Sequence, residues 1–262
     1  MPVAVASADC SAKRGRAGSD AVLLMSQSNM SGWDQDYNPT SMAQPTSVSS
    51  SGPGQTRSRL PLNTLSTSTT SRFVGMGTSI GRAYAATLPE YRNVLLVPAA
   101  QSDSGLARQH PATTSDPSPG IWSPSSALLE DAMTRLGEDL HSGEGQAGNC
   151  LAAELWHQGE ADAKLGTTQQ EYELVWNEMI GELKLRLNGA GASVSVILGQ
   201  FTPAWIEQKE ANARPILNAI KANAENSEFT TVEPSAGIGG INKGTNDLNG
   251  DSHFDSMALR KL

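Results

Sequence analysis

Short apolar runs near residues 20–26, 93–98, 151–156, 193–199 and 228–232 alternate with helical periodicity at 76–88, 124–141, 168–188 and 207–225, and a short last helix is expected from about 255. Strands separated by helices cannot close as hairpins, so this order demands a parallel sheet with crossover helices. The helix at 168–188 is the clearest, because Tyr172, Val175, Trp176, Met179, Ile180, Leu183 and Leu187 recur every three or four residues. That stripe is core, and Trp176 within it is read as packing rather than as a platform for a sugar. Val194-Ser195-Val196-Ile197-Leu198 is short and β-branched, as suits a strand buried on both faces, and is expected at the centre of the sheet.

The chain's 262 residues fit one large α/β domain, and 38% hydrophobic residues suffice for its core. Residues 1–18 read as a flexible N-terminal arm, and 19–262 as the domain, with long loops at about 34–72 and 107–123. The first loop is rich in Ser, Thr, Pro and Gly, and the second carries Pro111, Pro117 and Pro119. Loops at the carboxyl ends of parallel strands wall the ligand crevice, so both are placed to shape substrate choice; solvated linker is the plainer reading of 40–70. A net charge of −8 and a pI near 5.0 exclude nucleic acid as the main partner. Two cysteines, Cys10 and Cys150, do not make a disulfide framework and are read as free thiols. Polar and basic residues interrupt the mildly apolar start at once, so neither a signal peptide nor a membrane span is expected. The cytoplasm is the default location, with an extracellular or virion-associated one left open. Gly75-Met76-Gly77-Thr78-Ser79-Ile80-Gly81 lacks the spacing of a dinucleotide-binding loop and reads as a helix start.

Polar and ionisable residues gather just past two of the strand ends and again near the C-terminus. Leu23-Leu24-Met25 runs into Ser26-Gln27-Ser28-Asn29, and Leu151 to Trp156 runs into His157-Gln158-Gly159-Glu160-Ala161-Asp162. Far downstream, Asp251-Ser252-His253-Phe254 places an acid two residues before an imidazole. In an extended segment residues i and i+2 project to one side, so both groups can reach one pocket. A hydroxyl at a strand-to-loop junction, an imidazole to take its proton and nearby N–H donors are the requirements of ester hydrolysis. His253 is the best-placed base by type, with His157 its serious rival and His110 and His141 weaker ones.

These three segments, with Val94 to Ala100 and Ser104-Gly105-Leu106 between them, resemble the sialate O-acetylesterase and acetylxylan esterase group of the SGNH hydrolases, carbohydrate esterase family six and its relatives. The run Trp156 to Asp162 is the most specific, and the resemblance covers about Ala21 to the C-terminus. It implies a three-layer α/β/α sandwich with a central five-stranded parallel sheet, the flavodoxin-like SGNH hydrolase fold. It implies removal of O-acetyl groups from a carbohydrate through an acyl-enzyme intermediate, with no cofactor and no metal. Ser28 would be the nucleophile, His253 the base and Asp251 its orienter. The backbone N–H groups of Ser28 and Ser102 and the side-chain amide of Gln158 would form the oxyanion hole, supported by Gln27, Asn29, Asp103, His157 and Glu160.

The chain also departs from the family pattern. The family usually has Gly-Gln-Ser-Asn where this chain has Ser26-Gln27-Ser28-Asn29, and a Gly-Gly pair where it has Ser102-Asp103. Its Asp-x-x-H spacing is shortened here to Asp251-Ser252-His253, so Asp247 or Asp255 is an alternative orienter. A carboxylate at 103 would oppose a developing oxyanion unless it points away. These departures keep a second reading in view, a weakly active or inactive carbohydrate-binding or structural module on the same fold, on a bacterial surface or a phage particle. A lipase or thioesterase of the wider class would differ only in its acyl pocket. Expected partners are an acetylated carbohydrate, with no nucleic acid and no membrane, and homo-oligomer or particle assembly left open.

Overall fold

The computed structural model describes residues 10–13, 15–31, 56–58, 76–109, 120–141, 146–187, 194–225, 229–232 and 254. Among them, β1 (Gly18–Ser26), β2 (Thr56–Ser58), β3 (Arg92–Pro98), β4 (Cys150–His157), β5 (Ser195–Gly199) and β6 (Phe229–Val232) form one sheet in the order β2-β3-β1-β4-β5-β6. Every pair is parallel. Without β2 the order is that of the flavodoxin-like doubly wound sheet. All five expected strands are present, and β2 makes a sixth, inside the segment read as a loop. It is three polar residues long and is a strand only through pairing with Val94–Leu96 of β3, so no apolar pattern announces it. β5 is not central: it lies next to the edge strand β6 and alternates between buried and more exposed positions. The centre belongs to β1, which is buried along its whole length.

The expected helices are present as α3 (Gly77–Ala85), α4 (Ala127–Leu140), α6 (Gln169–Arg186) and α8 (Glu210–Ala224), joined by the short α1 (Cys10–Lys13), α2 (Ser28–Ser31), α5 (Glu160–Lys164) and α7 (Pro203–Gln208). The helix expected from about 255 lies outside the described residues. One face of the sheet packs Leu23, Met25, Val97 and Trp156 against Leu136 of α4, Trp176 and Leu183 of α6 and Ile216 and Ile220 of α8. The other packs Val22, Leu24, Val94 and Leu96 against α3, Met30 and Phe254. Three layers result, and Trp176 is buried core as expected. Thr168 starts α6 with a capping box, its side chain accepting from the Glu171 N–H while Glu171 reaches back to the Thr168 N–H. Among the described residues no helix is long and apolar enough to cross a membrane.

Cys10 and Cys150, expected as free thiols, are joined in a disulfide. The pairing depends on α1 lying against the start of β4, which nothing in the local sequence of either cysteine encodes. Arg92 holds the same corner: buried, it pairs with Asp20 and donates to the carbonyls of Lys13, Arg16 and Gly148 at 3.1, 2.9 and 3.2 Å. Lys13 Nζ adds a bond to the Asn149 carbonyl at 2.7 Å.

From β1 the chain passes to β2 and β3 on one side and later to β4 on the other, so the order reverses at β1. Open α/β sheets bind ligands in the crevice beyond the carboxyl ends of strands at such a switch point. Leu24 is in register with Pro98, and Ser26 with His157, so the ends of β3, β1 and β4 lie side by side there.

Candidate active site

β1 stops at Ser26, whose φ of 130° is rarely adopted by a residue with a side chain. This bend turns the chain out of the sheet, and the Met30 N–H closes the next turn on the Gln27 carbonyl at 3.0 Å. Ser28 follows as the first residue of α2, 6% exposed. The Ser26 carbonyl gathers three donors: the Gln101 N–H at 2.9 Å, Ser104 Oγ at 3.2 Å and Trp122 Nε1 at 3.2 Å. The turn carrying Ser102 and Asp103 is thereby attached to the end of β1. Asp103 has φ of 57° and is exposed, and Ser102 is half-buried. Ser26 and Asp103 thus take positive φ at places where the resembled family usually has glycine, and the backbone path that favours glycine is kept here with side chains.

β4 ends in His157, and Gly159 then turns the chain with φ of 142°. A Cβ on Gly159 would stand 2.6 Å from Ile216 Cγ2 and 2.7 Å from Phe201 Cζ, so glycine is required both by conformation and by space. The turn feeds α5, which presents Glu160 and Asp162 inward. The buried Glu160 carboxyl accepts from Gln27 Nε2 and, at 2.8 Å, from Asn29 Nδ2, holding the residues on either side of Ser28. Burial raises the Glu160 pKa, against the pull of His157. The Nε2 of His157 lies 2.8 Å from the Gln200 carbonyl and must donate there, because a carbonyl only accepts. Its Nδ1 faces Glu160 Oε1 at 3.6 Å. Both ring nitrogens of this rival base are therefore turned to framework groups. Gly199 leaves room for the ring: a Cβ there would collide with His157 Cδ2.

Gln158 is fully buried. Its Nε2 donates to the Ser104 carbonyl at 3.2 Å and to Asp162 Oδ2 at 2.5 Å, and the Tyr172 hydroxyl lies 3.0 Å from its Oε1. Asp162 also accepts the backbone N–H groups of Leu106, Ala107 and Arg108 at 2.7, 2.8 and 3.0 Å and Thr167 Oγ1 at 3.2 Å. A carboxylate receiving that many donors is a scaffold that fixes the loop after β3. The sequence reads Asp162 as a hydrogen-bonded scaffold in preference to a metal ligand beside His157 and Glu160, but its partners, main-chain groups more than fifty residues away, are not legible there. Ser104 was likewise missed as the hydroxyl linking Ser26, Gln101 and Trp122.

Asp251 and His253 lie outside the described residues, as do Asp247, Asp255 and His110. Phe254 is described: it is fully buried, its N–H donates to Asn29 Oδ1 at 3.0 Å, and its ring meets that of His157 edge-on with centroids 5.7 Å apart. Ser28, Ser102, Asp103, His157, Gln158 and Glu160 thus come from three neighbouring strand ends, and Phe254 lies against Asn29 and His157 there.

The chain matches the family described as carbohydrate esterase, sialic acid-specific acetylesterase, over residues 18–262. No curated protein sequence matches it. Similar solved structures include NanS, with a TM-score of 0.64 at 16% identity over 94% of this chain and 93% of that one. Another is a protein from Arabidopsis thaliana, with a TM-score of 0.59 at 17% identity over 94% of each chain. The structural likeness establishes the fold, and the match over nearly the whole chain establishes the family: this protein belongs to the sialic acid-specific acetylesterases among the carbohydrate esterases.

Proposed function

We propose that Ser28 is the nucleophile of a carbohydrate O-acetylesterase and His253 its general base, with O-acetylated sialic acid as the sugar that the family description favours. The bond from the Phe254 N–H to Asn29 carries this reading, because it joins the neighbour of residue 253 to the neighbour of residue 28. As His253 takes the Ser28 proton, the Ser28 oxygen attacks the acetyl carbonyl, giving a tetrahedral oxyanion. The imidazolium returns the proton to the departing sugar oxygen, which leaves acetyl-Ser28. Water, deprotonated by His253, releases acetate and restores the serine. Asp251 would accept from His253 Nδ1 and steady the imidazolium.

The N–H groups of Ser28 and Ser102 and the amide of Gln158 are the proposed oxyanion donors. Since both Nε2 hydrogens of Gln158 are engaged, its contribution requires exchanging the bond to Ser104, at 3.2 Å the longer of the two. Such a donor is worth about 3 kcal/mol in the transition state. Gln27, Asn29, His157 and Glu160 hold the Ser28 turn, and Asp103 stands exposed at the mouth.

Turnover of p-nitrophenyl acetate tests the assignment. Ser28→Ala is expected to lower kcat by at least roughly 1,000-fold. Equal rates for wild type and variant would return the protein to the reading as a binding module. Acetate release from O-acetylated sialic acid, compared with acetylxylan, separates the two sugars.

A further inference from the structure

We propose that Cys10 is a modification site, where a small anionic thiol of the glutathione class opens the Cys10–Cys150 bond and remains on Cys10 as a mixed disulfide. Cys10 lies in α1 and Cys150 begins β4, so the site is at the opposite end of the sheet from Ser28 and separate from its chemistry. The direction of thiol–disulfide exchange is set by which sulfur can be reached and which leaves more readily as a thiolate. Both point the same way here. Cys10 is 8% exposed and Cys150 is fully buried, so an entering thiolate meets Cys10 first. Arg92 Nη2 lies 3.2 Å from Cys150 Sγ, and a guanidinium at that distance stabilises the thiolate that departs. Asp20 Oδ1, 3.9 Å from the same sulfur, opposes this. It is the farther group, however, and its carboxylate is already engaged by Arg92 Nε at 2.5 Å and by the Tyr84 hydroxyl at 2.6 Å. Lys13 and Arg16 add positive charge to the corner, and the Lys13 pKa is lowered by burial and then by the charges of Arg16 and Arg92.

In the exchange, the sulfur of the entering thiolate bonds to Cys10 Sγ, the bond between the two cysteine sulfurs breaks, and its electron pair stays on Cys150 Sγ facing Arg92. The entering sulfur is oxidised and that of Cys150 reduced, so no further oxidant is needed. Lys13 supplies the preference for an anion. It follows Cys10 by one helical turn, and its Nζ donates at 2.7 Å to the carbonyl of Asn149, the residue before Cys150. Lys13 and Asn149 both line an open cavity of about 290 Å³, near the lower end of small-ligand sites. An ammonium has three donors, so Lys13 can hold a carboxylate of the thiol without leaving Asn149. Opening the disulfide does not free α1, because Arg92 still donates to the Lys13 and Arg16 carbonyls at 3.1 and 2.9 Å. Cys10 therefore stays near Cys150, whose thiolate can expel the small thiol again, and the modification is reversible.

Peptide mapping of the full chain tests this. The wild-type protein, its fold verified by circular dichroism, is mixed with reduced glutathione, quenched with acid at early times and alkylated with N-ethylmaleimide. Glutathione is expected on Cys10 and the alkyl group on Cys150. Glutathione on Cys150, or no adduct until urea unfolds the chain, would overturn the proposal. Lys13→Gln should slow the reaction with glutathione by about two- to fivefold and change that with uncharged 2-mercaptoethanol by less than about 1.5-fold. Equal effects on the two thiols would refute recognition of an anion, since a loosened structure acts on both alike. In Cys10→Ser, Cys150 is the remaining cysteine of the chain. Its ultraviolet thiolate absorbance should show at least about half ionised at neutral pH, against a few per cent for an ordinary cysteine. A value of a few per cent in the folded variant would mean that Arg92 does not make Cys150 the leaving sulfur.

Discussion

Ser26 carries two local costs at one position. Its φ of 130° is a conformation that side-chain-bearing residues seldom take, and its buried Oγ has no hydrogen-bond partner. Glycine removes both, at the expense of extra freedom in the unfolded chain. Ser26→Gly is therefore expected to stabilise the protein by about 1 kcal/mol, read as a rise in the urea midpoint with an unchanged slope. A lower midpoint would mean that Ser26 is packed to advantage. Single residues were the most legible part of the site. Ser28, His157, Gln158 and Glu160 stand in short motifs whose chemistry is local, and Glu160 reaches both neighbours of Ser28. The role of Ser104 and the partners of Asp162 were hidden because they are defined by backbone groups brought in from other strands.

Among the elements, β4 contains a group that the proposed chemistry does not use. Glu154 is buried in the middle of the strand, its Oε1 has no hydrogen-bond partner, and burial raises its pKa from 4.5 to about 8, with Lys184 pulling the other way. The folded protein therefore keeps this proton where the unfolded chain releases it. The stability it confers is full below about pH 4.5 and is lost as pH rises to and through about 8. Glu154→Gln should flatten that fall, by a few kcal/mol between the two ends of the range, measured as urea unfolding against pH. An unchanged slope would show that the side chain is ionised in the fold at neutral pH. Elements were legible in proportion to their length and apolar period. α6 shows its buried stripe in seven residues of sequence, whereas α5 has five residues, two of them buried acids that read as chemistry rather than helix. β5 reads like a central strand because β-branched residues suit any interior strand, and its place beside β6 depends on the remainder of the sheet.

At the scale of the molecule, the candidate site lies where the strand order reverses at β1, while the opposite end of the sheet is held by α1, Arg92 and the Cys10–Cys150 bond. That disulfide spans 140 residues, and a cross-link over so long a loop restrains the unfolded chain by up to about 5 kcal/mol. Cys150→Ser, or reduction of the wild type, is expected to lower stability by about 3–5 kcal/mol, seen as a lower thermal midpoint. No change on reduction would mean that Arg92 and Asp20 hold the corner unaided. The fold class was legible from alternation of strands and helices, but this closure was not, because two cysteines far apart in sequence give no sign that their backbones lie 5.2 Å apart.

The proposal that Ser28, at the junction of three strand ends, is the nucleophile is most directly tested by covalent labelling. The protein is treated with diisopropyl fluorophosphate and the adduct located by peptide mass. One diisopropylphosphorylated residue is expected, Ser28, with loss of esterase activity in step with labelling and no adduct in Ser28→Ala. Labelling of another residue together with loss of activity, or full activity with Ser28 modified, would contradict the account.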